Sequence, residues 1–130
     1  MSRRTLSLIP LTLLGLAACG GSGSSDVTAP ADADVVVRAK AGIVWDQKSY
    51  TATADAGTLV VTLINDSSQP HNLHIVDAND NDIDKAVKSP AVQQSGDSKT
   101  ATFTLQPGTY RIVCKVPGHT STMDADLVVN

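Results

Sequence analysis

The sequence predicts a single all-β domain, a sandwich or barrel of short strands, over residues 34–130. Three observations lead to this prediction. β-Branched stretches have the length of strands, polar and apolar residues alternate with period two, and turn-forming residues separate the stretches at short intervals. No long amphipathic helix is evident, and Pro90 limits the one short stretch with helical potential, residues 84–92. A chain of 130 residues also leaves no room for a multidomain enzyme.

Five strands account for most of the predicted domain, and we expect them to pair antiparallel. They cover residues 35–37, 58–64, 100–105, 109–115 and 126–130. In the third strand, Ala101, Phe103 and Leu105 share one face, while threonines occupy the other. A Gln-Pro-Gly turn at 106–108 connects it to the fourth strand.

Composition limits the functions that the chain can have. Apolar residues make up 42% of the sequence but aromatic residues only 3%, so the core must be aliphatic. The net charge is −3, and Arg3 and Arg4 form the only cluster of basic residues. These features argue against nucleic acid as a partner, because nucleic-acid binding needs a concentrated basic surface.

The N-terminal segment, residues 1–18, has the pattern of an export signal. Arg3 and Arg4 precede an apolar stretch, residues 5–18, which is too short for a bilayer span of roughly 20 helical residues. The following Leu16-Ala17-Ala18-Cys19 resembles the lipobox of bacterial lipoproteins. That resemblance implies cleavage before Cys19 and a lipid on its thiol. The alternative is a plain signal peptide with an incidental cysteine.

Residues 19–33 are predicted to be the lipidated cysteine and a flexible tether. They are rich in Gly, Ser and Ala and have no periodic apolar face. A tether of this length has a typical end-to-end distance of about 20 Å. We therefore expect the domain to lie at the extracytoplasmic face of a bacterial membrane. The export route stays open, since residues 2–6 also resemble a twin-arginine motif, but Ser7 departs from it.

Two segments, residues 69–74 and 114–123, contain the residues with distinctive chemistry. His71, Cys114, His119 and Met123 supply one thiol, two imidazoles and one thioether. Two His, one Cys and a weak axial Met are the donors of a type 1 copper site. Cys114, His119 and Met123 are close enough in sequence for one short loop to place them around one ion.

Strand parity supports this role for Cys114. Tyr110, Ile112 and Cys114 share one face of the predicted strand, and Arg111, Val113 and Lys115 share the other. Because Arg and Lys should face water, Cys114 is expected to point inward, which makes it a poor disulfide partner for Cys19. The alternative for Cys114 is an inert core residue.

With these residues the domain resembles a cupredoxin, the family of plastocyanin, azurin and halocyanin. The resemblance rests on the segment Pro70-His71-Asn72 and on a ligand loop with Pro117-Gly118 before His119. It implies a Greek-key β-sandwich with one copper ion, Cu(II) or Cu(I), at one end. It also implies that His71 lies at a strand end and that the other three ligands lie on the loop joining the last two strands.

The resemblance also implies roles for residues around the ligands. Asn72 would donate its backbone N–H to the Cys114 sulfur and join the two loops through its side chain. Pro117, which lacks an N–H, would remove one possible donor to that sulfur. His119 would emerge in an apolar patch, where it would be the port for electrons.

His74 is the main competitor for a ligand role. It lies three residues after His71, so on a strand it should face the opposite side. We expect a surface or edge imidazole, with a second, weaker metal site as the open alternative.

The sequence therefore predicts a membrane-tethered type 1 copper protein that is not an enzyme. It would carry single electrons between redox proteins, and we expect a monomer. The rival hypothesis is a protein that stores, scavenges or delivers copper, and a third is a metal-free adhesive sandwich. All three would have the same fold.

Overall fold

A computed structural model describes residues 26–130, and this part of the chain is folded from strands and loops without a helix. The predicted signal segment, residues 1–18, and the predicted lipidated Cys19 lie outside the described residues. The ten strands are β1 (Val35–Lys40), β2 (Val44–Trp45), β3 (Ser49–Ala52), β4 (Thr58–Asn65), β5 (His71–Asn72), β6 (His74–Val76), β7 (Ala91–Val92), β8 (Ser98–Thr104), β9 (Gly108–Val113) and β10 (Asp124–Val129).

The strands form two four-stranded sheets and one small ribbon. The first sheet has the order β2-β1-β4-β8, the second β3-β10-β9-β6, and β5 pairs with β7. The all-β sandwich predicted from the sequence is confirmed. Within residues 26–130 no helix is long and apolar enough to be a membrane span.

The expectation of purely antiparallel pairing is wrong at two places. β1 pairs with β4 in parallel, and β10 pairs with β3 in parallel. Period-two alternation reports which face of a strand is buried, but it contains no information about the direction of the neighbouring strand. Each parallel pair also joins strands that are distant in sequence, as a sandwich with crossing connections requires.

A mainly aliphatic core fills the space between the sheets, as composition predicts, and it also contains the aromatic residues Trp45, Tyr50 and Phe103. In β8, Phe103 is buried and its neighbours Thr102 and Thr104 are exposed, so the predicted alternation is present. In β10, Ala125, Leu127 and Val129 all face the core. Burying such side chains stabilises the fold by about 1.5–3 kcal/mol each.

The segment before β1 contacts the domain from Val27 onward. Arg38 on β1 donates a hydrogen bond to the Val27 carbonyl oxygen at 2.7 Å, and it also forms an ion pair with Asp66. The Asp34 N–H donates to the Val60 carbonyl oxygen on β4 at 2.8 Å. The end of the predicted tether therefore lies along the first sheet.

Candidate metal centre

His71 reaches the interior because it begins an extended segment, β5 and β6 with Leu73 between them, in which alternate residues from 71 to 75 are buried. His71, Leu73 and Ile75 are almost fully buried, while Asn72 and His74 between them are half-buried. β5 pairs with β7 through His71 and Val92, and the Leu73 N–H donates to the Pro90 carbonyl oxygen at 3.0 Å. These backbone contacts fix the position of the imidazole at one end of the sandwich.

The other donors come from the loop between β9 and β10. Cys114 follows the last residue of β9, and its N–H donates to the Met123 carbonyl oxygen at 3.1 Å, which closes the loop. Within the loop, the His119 N–H donates to the Val116 carbonyl oxygen at 3.0 Å, and the Met123 N–H donates to the His119 carbonyl oxygen at 3.0 Å. Gly118 allows the first of these turns, since its φ of 84° is unfavourable for other residues.

The two segments bring three donor atoms to one buried point. The Nδ1 atom of His119 lies 3.8 Å from the Cys114 sulfur and 3.3 Å from Nδ1 of His71. One donor atom from each of the three residues lies within 4.8 Å of the others, and within residues 26–130 no other group of His, Cys, Asp or Glu was found with this geometry. Cys114 is fully buried, and His71 and His119 are 1% and 7% exposed.

Met123, the fourth residue of the predicted set, is also fully buried and belongs to the same apolar cluster as Cys114. Its backbone is hydrogen-bonded to both Cys114 and His119. The sequence-predicted residues therefore lie in one continuous structural unit, with three polar donors bordered by the aliphatic core.

The electrostatics of the site favour the form of histidine that binds metals. Burial lowers the pKa of His71, and the nearby charge of His119 lowers it further. A depressed pKa keeps the imidazole neutral, and the neutral ring is the one with a free nitrogen lone pair. A soft thiol and two imidazoles in a closed, dry cluster fit copper by donor chemistry.

Comparison with known proteins identifies the family. The model of the copper-binding proteins of the plastocyanin/azurin family matches residues 32–130. The chain belongs to this family. Its cofactor is therefore copper, and His71, Cys114 and His119 are consistent with a single copper site.

Solved structures give the same fold for this cupredoxin. Auracyanin A, a blue copper protein from Chloroflexus aurantiacus, is 26% identical, with a TM-score of 0.58 over 73% of this chain and 96% of that one. An azurin from Methylomonas sp. strain J is 17% identical, with a TM-score of 0.61 over 77% and 99% of the two chains. A purple cupredoxin from Nitrosopumilus maritimus is 21% identical, with a TM-score of 0.56 over 75% and 100%. A comparison with curated protein sequences gave no match.

Asn72 joins the segment that contains His71 to the loop that contains Cys114 and His119. Its side-chain oxygen accepts a hydrogen bond from the Lys115 N–H at 2.7 Å, directly after Cys114. Within residues 26–130 the expected hydrogen bond from the Asn72 N–H to the Cys114 sulfur is absent. The sulfur instead lies 3.8 Å from Nδ1 of His119. Pro117 is exposed, next to Gly118 on the surface of the loop.

His74 has partners of its own on the other side of the strand. Its Nδ1 atom lies 2.8 Å from Asp82 Oδ1 and 3.0 Å from the Ser89 hydroxyl. Asp82 also accepts a hydrogen bond from the Lys115 ammonium at 3.0 Å, so it joins His74 to the ligand loop without bringing it to the ligands.

Two neighbours of His71 were not predicted from the sequence. The Ser67 hydroxyl lies 2.7 Å from Nε2 of His71. The Trp45 ring centroid lies 6.5 Å from that of His71, and the indole N–H donates to the Ile112 carbonyl oxygen at 3.2 Å. Nothing in the spacing of Ser67 and His71 marks their contact, because it depends on how the intervening turn folds.

Replacing Cys114 and replacing His74 should have opposite results. We expect Cys114→Ala to abolish any blue copper centre, because the thiolate is the source of the intense absorption. His74→Ala should leave the centre intact, because its imidazole is held by Asp82 and Ser89. The visible spectra of the two variants loaded with Cu(II) test this assignment, and loss of colour in the His74 variant would contradict it.

Proposed function

We propose that this cupredoxin carries single electrons between redox proteins outside the cytoplasm. The observation that supports the proposal is the closed cluster of His71, Cys114 and His119, which is built from two segments distant in sequence and is buried from water. A site filled by protein donors leaves no open position for a substrate, which metal-dependent hydrolysis requires. We therefore propose a carrier and not an enzyme.

Copper, when bound, supplies the one-electron couple between Cu(II) and Cu(I). The protein contributes by holding its donor atoms in nearly the same positions in the Cu(II) and Cu(I) states. Backbone hydrogen bonds within the loop fix Cys114, His119 and Met123 relative to one another, and Asn72 fixes the loop relative to His71. Such outer hydrogen bonds orient the ligands and limit the rearrangement that accompanies a change of charge.

The loop also offers a surface for a partner. His119 is the most exposed of the three clustered donors. Pro117 and Gly118, which precede it, and Pro70, which precedes His71, are exposed. We propose that an electron leaves through the His119 edge into a redox protein docked on this surface. A small contact of this kind would be short-lived, as a shuttling carrier requires.

Met123 is proposed as the weak axial ligand. Met123→Leu keeps a side chain of similar volume, so the domain should fold and retain copper. The reduction potential should rise, because the thioether is a weak donor that stabilises Cu(II) more than an alkyl group does. Cyclic voltammetry of the two proteins measures the difference, and a lowered potential would contradict the assignment.

The rival function is copper storage, scavenging or delivery, which the same donors could serve. The two functions differ in how firmly the metal is held. A carrier should retain its copper through many cycles of oxidation and reduction, whereas a donor should release Cu(I) to an acceptor.

The discriminating experiment follows copper content and electron transfer in one sample. The chain without residues 1–18 is used with Cys19→Ser, so that Cys114 is its sole thiol. We expect it to be reduced and reoxidised repeatedly in the presence of a Cu(I) chelator with little loss of copper. Rapid transfer of Cu(I) to the chelator on the first reduction would favour the copper-handling function instead.

Membrane attachment through Cys19 completes the proposal. A lipid on Cys19 would keep the domain near the extracytoplasmic face, and the exposed loop around His119 could meet partners there. Full-length protein expressed in a bacterium that processes lipoproteins should fractionate with membranes. The Cys19→Ser variant should be released into the soluble extracytoplasmic fraction, and equal membrane retention of both proteins would contradict lipid anchoring.

A further inference from the structure

Ser67 lies at the centre of a hydrogen-bond network beside His71. It is 7% exposed, and it follows β4 in the turn that leads to β5. Its hydroxyl oxygen lies near the side chain of Asn65 at 2.9 Å, the N–H of Gln69 at 3.2 Å and Nε2 of His71 at 2.7 Å. Backbone N–H groups can only donate and carbonyl oxygens can only accept, so these groups determine the direction of the other hydrogen bonds.

The orientation of Asn65 is fixed first. The Ser67 N–H can only donate, and it lies 3.0 Å from Oδ1 of Asn65. The Gln69 carbonyl oxygen can only accept, and it lies 2.8 Å from Nδ2 of Asn65. Both contacts agree on the same orientation of the amide, so the atom that faces the Ser67 hydroxyl is an acceptor.

The direction of the Ser67 hydroxyl follows. Its oxygen accepts from the Gln69 N–H. Besides His71, two acceptors lie within reach of its single proton, Oδ1 of Asn65 at 2.9 Å and the Gln69 carbonyl oxygen at 3.4 Å, and the shorter contact assigns the proton to Asn65. The lone pair that remains faces His71, so Nε2 of His71 must carry the proton. The reverse arrangement would set two acceptor oxygens, those of Ser67 and Asn65, against each other at 2.9 Å.

We propose that Ser67, oriented by Asn65, is a positioning residue that holds neutral His71 in its Nε2–H form. This form leaves the lone pair on Nδ1, the atom that lies 3.3 Å from Nδ1 of His119. A neutral imidazole otherwise exists as two tautomers, and only one of them presents a lone pair to the metal. Ser67 thus selects the metal-binding form before copper arrives.

The supporting turn is itself held in place. The Asn65 N–H donates to the Asp97 carbonyl oxygen at 2.9 Å, and the Gly96 N–H donates to the Asn65 carbonyl oxygen at 2.8 Å. Asn65 is fully buried, so water does not compete for its amide. The inference rests on His71 being a copper ligand, as in the proposed function, but not on electron transfer.

Nitrogen NMR of the histidine rings in the metal-free protein tests the tautomer directly. The protein is the chain without residues 1–18 carrying Cys19→Ser, at a pH where His71 is neutral. We expect the wild-type domain to show the proton of His71 on Nε2. A proton found mainly on Nδ1 would overturn the proposal, whatever the behaviour of any variant.

Variants of Ser67 test whether the hydroxyl is the cause. Ser67→Ala should give a mixture of His71 tautomers and weaken Cu(I) binding about 10–100-fold, the range for loss of a group that orients a ligand. Ser67→Thr, which retains a hydroxyl, should restore both properties. Ser68→Ala, at the exposed neighbouring serine, is the matched control and should change neither.

The outcomes separate this proposal from the proposed function. Cu(I) affinity is measured by competition with a chromophoric chelator, and the tautomer is measured without metal. A folded Ser67→Ala variant with one His71 tautomer and the affinity of the Ser68→Ala control would overturn the role of Ser67 while leaving the copper site intact. A redox-inactive wild-type protein with the Nε2–H form of His71 would instead contradict electron transfer alone.

Discussion

The hydrogen bond from the Lys115 N–H to the side-chain oxygen of Asn72, 2.7 Å long, joins two parts of the chain that are distant in sequence. Asn72 directly follows His71, and Lys115 directly follows Cys114. Because each bonded residue is next to a metal donor, this bond fixes the separation between the segment that contains His71 and the loop that contains Cys114. The pairing of β6 with β9, which sets His74 opposite Val113, provides the same constraint from the sheet side. The metal centre is therefore a consequence of how the two segments are joined.

Burial then gives these donors their chemistry. The apolar core lies against Cys114 and Met123, and it excludes water from the region where the thiol and the imidazoles meet. In such surroundings charged groups are disfavoured, which lowers the pKa of His71 and leaves its nitrogen available. We propose that the turn around Ser67 also determines which nitrogen of His71 is available, because the Ser67 hydroxyl lies 2.7 Å from Nε2 of that ring. The same packing that stabilises the sandwich thus prepares a site for a soft metal ion.

Much of this arrangement could be predicted from the sequence, because parity and spacing are local properties. The alternation of Tyr110, Ile112 and Cys114 correctly predicted a buried thiol, but Val113, which the same alternation placed on the water-facing side, is buried as well. The parallel pairing of β1 with β4 could not be predicted, since alternation does not specify a partner. The contact of Ser67 with His71 was missed for a related reason: it depends on the path of a turn and not on a repeat.

The central claim is that His71, Cys114 and His119 hold one copper ion in a type 1 centre. The most direct test is a visible absorption spectrum, together with EPR, of the mature chain carrying Cys19→Ser and loaded with one equivalent of Cu(II). We predict an intense blue charge-transfer band and a narrow copper hyperfine splitting, both arising from the thiolate of Cys114. A colourless protein, or the weak band and wide splitting of an exposed tetragonal Cu(II), would contradict the account.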